Sequence, residues 1–354
     1  MQPVYEARKE DGADISRLLE SPVDAGLIQA IYTRRPDAYE SYMKESGESR
    51  VFVLKRENRV VATCAELIRD VYVRGEVKRS AYFCGLKRDP AYQGLIPAGA
   101  GFFNALQRQD IDFYYCAVLA NNRDVMEKFG KKRSVFSFRP VASYTSYILN
   151  PNIRTREEPN AYVFRQAAAG DAAAIVEFLN AQGRGKDLFP YVRSLEDYHG
   201  LRAEDFYLLE DGRGIKACGA VWNVSSYKQF TVKKYRGILK GARAFNPLLS
   251  LLGYAQLPRE NEPMDLPTLA FFLSRDDSED GYRILFHHIK NEIKKRYSMF
   301  LVGLPAQHVI ASVLKRLPKV TLESVIYEVR FSGRDGEKAP VIDPARIYTE
   351  SALL

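Results

Sequence analysis

Glu66 and the stretch RDPAYQGLIPAGAGFFNAL, residues 88–106, hold the residue types from which a reaction could be built. Glu66 lies in the apolar run ATCAELI. A carboxylate facing a cleft can serve as a general base; its bland reading is a strand residue on a solvent face. The stretch 88–106 runs from a strand end through three glycines and two prolines into a helix carrying Phe102, Phe103 and Leu106. Such a corner turns backbone N–H groups inward at the positive end of a helix dipole, which suits a diphosphate. A Cβ would hold the ligand off, so glycine fits there, and Pro97 fits a first helical turn. Gln93, Gly94 and the positions up to Gly99 form the candidate cradle. Close helix-to-strand packing is the competing reading of Gly99 and Gly101.

The other chemistry-bearing residues narrow the field. Cys64, Cys84, Cys116 and Cys218 stand singly in strand-like runs and are expected as free buried thiols rather than disulfides. His199, His287, His288 and His308 show no ligand spacing, and no metal is expected. A net charge of +8 and a pI near 9.1 favour an anionic partner: a nucleotide cofactor, a tRNA or an acidic substrate. The chain has no apolar run of bilayer length and no apolar N-terminal segment, so a cytoplasmic protein with no membrane partner is expected.

The elements that must position these residues recur. YEARKEDGADISRLL from Tyr5 and YVFRQAAAGDAAAIVEFL from Tyr162 each read as a strand ended by an arginine (Arg8, Arg165), with Asp14 or Asp171 at the start of a helix. VFVLKRENRVVATCAEL from Val51 and FYLLEDGRGIKACGAVW from Phe206 read as hairpins, and ASYTSYIL and LESVIYEV as corresponding closing strands. The expected fold class is α/β with a mixed sheet, in two tandem units, 1–149 and 161–332, joined by a linker over 150–160 and followed by a tail, 333–354. The second unit carries an insertion at 225–265. Its Lys228, Lys233, Lys234, Arg236, Lys240 and Arg243, interleaved with Tyr227, Phe230 and Tyr235, are expected to form a basic helical face. That face either binds phosphates or is solvated above packed aromatics.

The order strand–helix, hairpin, long strand with LKRDPAYQG, helix, AVLANNRDVMEKFG and closing hairpin resembles the GCN5-related N-acetyltransferase family. In that family the fourth strand ends in a Val-x-Pro-x-Tyr-Arg/Gln-Gly type sequence. Gln/Arg-x-x-Gly-x-Gly/Ala follows, and its amides hold the pyrophosphate of acetyl coenzyme A. Leu86, Pro90, Tyr92, Gln93, Gly94 and Ala98 fit that register, with Ile96 at the central glycine. The resemblance implies two tandem acyl-CoA N-acyltransferase-like domains. It also implies acetyl-CoA held by Leu86, Arg88, Gln93, Gly94, Ile96, Ala98, Gly99 and Asn122. The carbonyl would be polarised by backbone N–H groups over Gly85 to Arg88, where the fourth strand splays from the fifth, with Glu66 as base. The family's acid, a tyrosine in the helix after the fifth strand, gives way here to Phe129 or, in a shifted register, Met126. Tyr82 is the chosen substitute, among Tyr92, Tyr114, Tyr115 and Tyr144. In the second unit Asp276, Asp277, Glu279 and Asp280 would repel a diphosphate, so that unit is expected to be degenerate.

Three functions are consistent with this reading. The preferred one is an N-acetyltransferase that passes an acetyl group from acetyl-CoA, by direct attack, to a small-molecule or peptide amine. The alternatives are a non-catalytic acyl-CoA-binding or sensing protein, and a protein like the aminoacyl-tRNA-dependent peptidyltransferases, which with N-myristoyltransferases share tandem arrangements of this fold. Nucleic acid is the less favoured partner, and the oligomeric state is left open.

Overall fold

A computed structural model describes residues 4–20, 23–25, 28–92, 105–122, 136–156, 159–237, 240–241, 245–252, 257–331 and 340–354. Its strands are β1 (Val4–Glu6), β2 (Val23–Ala25), β3 (Ile28–Thr33), β4 (Arg50–Arg56), β5 (Arg59–Val73), β6 (Glu76–Arg88), β7 (Phe113–Leu119), β8 (Phe136–Leu149), β9 (Val163–Gln166), β10 (Phe206–Asp211), β11 (Gly214–Trp222), β12 (Gln229–Tyr235), β13 (Thr268–Ser274), β14 (Phe300–Pro305) and β15 (Lys319–Phe331). The described α-helices are α1 (Gly12–Leu19), α2 (Ala38–Glu45), α3 (Ala172–Gly183), α4 (Asn246–Leu251), α5 (Glu279–Ile293) and α6 (Ala311–Arg316).

Twelve of the described strands form one mixed sheet in the order β1-β4-β5-β6-β7-β15-β8-β14-β13-β11-β10-β9. Read inward from either edge, the two halves match. Antiparallel strands lead to one parallel pair, β6 with β7 in the first half and β13 with β14 in the second. The centre departs from the expected closing hairpin within the first half. β8 pairs along its whole length with β15, from Leu149↔Lys319 to Phe136↔Phe331. β15 then lies against β7, and β8 against β14. Each half's last strand therefore fills a place beside the other half's parallel strand, and the two halves share one sheet.

The hairpins form as expected. Glu57 and Asn58 adopt φ of 49° and 61° between β4 and β5, the twist a tight hairpin turn requires. The matching of the helix starts is corrected by three residues. The Arg8 amide donates to Asp11 at 3.0 Å and the Ala168 amide to Asp171 at 2.8 Å, so Asp11, not Asp14, is the counterpart of Asp171. Asp14 instead accepts from the Val60 amide at 2.9 Å. All four cysteines are free.

Two cores flank the first half of the sheet. On one face α1 and α2 bury Ile15, Leu18, Leu19 and Tyr42 against Val53, Ala65, Leu67, Tyr82 and Tyr115. On the other, Cys64, Ile68, Phe83 and Tyr114 pack with Leu106 and Ile111. A separate three-stranded sheet, β12-β3-β2, ties the halves together. It overturns the expected basic helical face: 229–235 is a strand, as its alternation of Phe230, Val232 and Lys234 against Thr231, Lys233 and Tyr235 allows. Tyr227 and Tyr235 are buried, Phe230 packs at a tilt against Tyr32, and Lys228 is buried too.

Candidate active site

β6 and β7 are paired from Ser80↔Phe113 to Phe83↔Cys116, yet β6 continues to Arg88 and β7 to Leu119. They part because β6 carries a bulge. Its register on β5 jumps from Ala65↔Cys84 to Thr63↔Lys87, leaving Gly85 and Leu86 opposite Cys64. Gly85 has φ +61°, and a Cβ there would sit 2.0 Å from the Tyr42 hydroxyl, so both backbone and space demand glycine. Where the strands part, two side chains reach solvent: Leu86 is 47% exposed and Leu119 36%.

The second half has the same bulge. The β13 register on β11 jumps from Cys218↔Leu273 to Ala220↔Ala270, leaving Phe271 and Phe272 opposite Gly219. Phe271 takes φ 49°, a strain of about 1–2 kcal/mol for a residue with a side chain. Here the parting is filled. The Phe271 amide donates to the Glu350 carboxylate at 2.5 Å, the Tyr348 hydroxyl donates to the Phe272 carbonyl at 2.8 Å, and the Tyr144 hydroxyl donates to the Thr349 carbonyl at 3.1 Å. β13 and β14 are buried throughout. In the acidic turn that follows, Asp277 is engaged by Lys186 at 2.5 Å and by the Tyr282 hydroxyl at 2.9 Å.

Behind Gly85 lies a buried charge cluster that the sequence did not disclose. α2, capped by Asp37 through the Glu40 amide, delivers Tyr42 and Glu45. Arg34 comes from the end of β3, Arg69 from β5, and Lys228 from the residue before β12. Glu45 accepts from Arg34, from Arg69 at 3.3 Å and from Lys228 at 3.2 Å. Burial alone would raise its carboxyl, but Arg34, Lys228 and Arg69 outweigh burial and hold it at about 2. Burial depresses Lys228 against the pull of Glu45. The cations in excess of Glu45 find backbone oxygens: Lys228 donates to Ala352 and Leu354, and Arg69 to Leu353 at 2.9 Å. Residues 348–354 thus close the second parting and also cap the cluster behind the first.

The Arg34 guanidinium stacks 3.8 Å from the centre of the Tyr42 ring. The Tyr42 hydroxyl is buried with no hydrogen-bond partner among the described residues, and burial raises its pKa. Glu45 and Arg69 also border an open cleft of about 520 Å³ between the end of α2, the Ile68–Asp70 part of β5 and the segment Tyr191–His199 of the second half.

The sequence-chosen residues fall on both sides of the sheet. Glu66 is buried, not on a solvent face, and it points with Cys64 and Ile68 toward Leu106 and Ile111. Neither of its oxygens has a hydrogen-bond partner among the described residues, and Arg50 lies 3.6 Å away. Burial, opposed by Arg50, pushes Glu66 up to about 7. Tyr82 lies on the opposite face, beside Leu67 and 5.1 Å from the Tyr115 ring. The structure does not bring Glu66 and Tyr82 together. Leu86 and Arg88 flank the parting, and Asn122 follows β7, its amide donating to the Leu119 carbonyl at 2.9 Å. Gln93, Gly94, Ile96, Ala98 and Gly99, together with Met126 and Phe129, lie outside the described residues. A glycine inside the strand-like run SAYFCGLKR was the one sequence signal for the bulge. Arg34, Glu45, Arg69 and Glu350 gave none, being scattered over distant segments, and Lys228 was singled out only as part of a basic face.

Solved structures share this architecture. The chain has a GCN5-related N-acetyltransferase-like fold. It is similar over 99% of its length to 90% of the Saccharomyces cerevisiae N-myristoyltransferase crystallised with myristoyl-CoA, at 8% identity and a TM-score of 0.61. Over 94% of its length it is similar to 73% of a probable N-acyltransferase from Enterococcus faecalis V583, at 9% identity and a TM-score of 0.50. Over 92% it is similar to 72% of a GCN5-related N-acetyltransferase from Anabaena variabilis, at 13% identity and a TM-score of 0.50. No protein-family model and no curated protein matches the sequence.

Proposed function

We propose that the chain is an acyl-CoA-dependent N-acyltransferase whose thioester lies where β6 parts from β7, and that its donor is acetyl-CoA. The observation that carries this reading is the pair of matching bulges. In the second half the bulge amide of Phe271 holds a carboxylate oxygen of Glu350, so a bulge N–H at this place faces the parting and binds oxygen. Gly85 occupies the same place in the first half, where Leu86 and Leu119 reach solvent. Its N–H is the donor for a thioester carbonyl, fixed before the reaction and aimed where negative charge develops.

The amine arrives through the cleft beside Arg69 and attacks the carbonyl carbon, and the carbon–sulfur bond breaks. The proton released by the amine is carried by water to the departing thiolate, which leaves as the thiol. Transfer is taken as direct, and burial, which pushes the Cys84 thiol beside the bulge up to about 11, disfavours an acylated cysteine at neutral pH. Tyr42 and Leu19 fill the space behind Gly85, which favours a short acyl chain. The acceptor is a small-molecule or peptide amine.

Thermal denaturation with CoA thioesters tests this. Acetyl-CoA at a hundredfold excess over Kd should add about 2.7 kcal/mol of stability, myristoyl-CoA should add less, and thiol release across a panel of amines should report turnover. No stabilisation by acetyl-CoA would contradict the proposal.

A further inference from the structure

Helix α4 sits in the segment of the second half that has no counterpart in the first, and it turns its apolar side outward. Phe245 is 61% exposed, Leu248 52%, Leu251 83% and Leu252 59%. Spacings of three, three and one put all four on one stripe of a helix, the pattern of a buried face. The helix is not a loose end. The Asn246 side chain donates to the Leu257 carbonyl at 2.8 Å and accepts from the Leu257 amide at 2.9 Å. Leu257 is itself packed on Val232 and Tyr235 of β12. The exposed stripe therefore belongs to a helix tied to β12 through Leu257. Lys234 of β12 and Lys240, between β12 and α4 in the chain, are exposed.

We propose that this stripe docks the protein on an anionic membrane surface, with Phe245, Leu248, Leu251 and Leu252 entering the boundary of the acyl region and Lys234 and Lys240 meeting lipid phosphates. Two observations select this occupant. A two-turn helix with four exposed apolar side chains offers less than the roughly 800 Å² per partner of a stable protein interface. A lipid surface needs only a few apolar anchors joined to positive charge, and this segment supplies both. Among the described residues no helix is long and apolar enough to cross a membrane, so the contact is peripheral. It departs from the expectation, drawn from the lack of a spanning segment, that there is no membrane partner. The inference is independent of the acyltransferase reading.

Co-sedimentation of the full chain with vesicles tests it, comparing phosphatidylcholine alone with a phosphatidylcholine–phosphatidylserine mixture. The wild type should bind the anionic vesicles about tenfold better. Leu248→Glu combined with Leu251→Glu should abolish binding without changing the melting temperature, and Lys234→Glu with Lys240→Glu should weaken it. A wild type that stays in the supernatant with both vesicles overturns the proposal, and so does a Leu248→Glu/Leu251→Glu protein that still binds. Two further results overturn it: self-association that the leucine substitutions abolish while vesicles go unbound, which assigns the stripe to a second copy, and retention of RNA but not vesicles, which assigns the basic residues to nucleic acid.

Discussion

Glu66 shows how a residue can be singled out from sequence and yet be understood only in three dimensions. A carboxylate within ATCAELI was conspicuous, and the structure buries it completely beneath Leu106 and Ile111. Its pKa near 7 lies above the ordinary 4.5, so the folded state keeps a proton that the unfolded state releases. The stabilising effect of that proton is full below about 4.5 and is lost as pH rises through 7, at about 1.4 kcal/mol per pH unit. Glu350, also pushed to about 7 by burial, acts in the same window. Glu66→Gln should therefore match the wild type in urea unfolding near pH 4.5 and exceed it at pH 8, with part of the slope surviving through Glu350. Wild-type and variant curves that stay parallel from pH 4.5 to 8 would contradict this placement. Glu45 is the opposite case: its three cations hold it ionised near 2, so its contribution is present above the ordinary carboxyl range and lost in acid.

The bulge of β6 is shaped by the helix across from it. α2 presses the Tyr42 hydroxyl onto Gly85, so Gly85→Ala faces two costs: the left-handed backbone, about 1–2 kcal/mol, and a clash with that oxygen. Tyr42→Phe removes the oxygen and leaves the ring carbon 3.1 Å from the added Cβ. The double variant should therefore be more stable than Gly85→Ala alone, with a coupling within the 0.5–3 kcal/mol of contacting residues. Strict additivity in the double-mutant cycle would mean that Tyr42 does not touch the bulge. At this scale much was legible. Turn residues announced the hairpins at Glu57-Asn58 and at Gly214, because their backbone needs are local. The stretch 228–235 was misread as helical because charge and aromatic content were weighed above its two-residue alternation. The exchange of β8 and β15 was illegible because a strand's own residues do not name its partner across the sheet.

The whole molecule is built on one topology used twice and put to two ends. The first half leaves Leu86 and Leu119 exposed at the parting beside Gly85, and the second fills its own with Tyr348, Thr349 and Glu350, then sends the chain on to Arg69 and Lys228 behind the first. The repeat and its likeness to a known fold could be read from the order of elements. The self-filling could not, because it depends on a tail distant in sequence reaching a bulge that has no signature of its own. This asymmetry is the central claim, and hydrogen–deuterium exchange with acetyl-CoA tests it most directly. Peptides spanning 84–88 and 117–120 should gain protection while those spanning 268–274 stay unchanged. Protection confined to 268–274, or none in either half at saturating acetyl-CoA, would contradict the account.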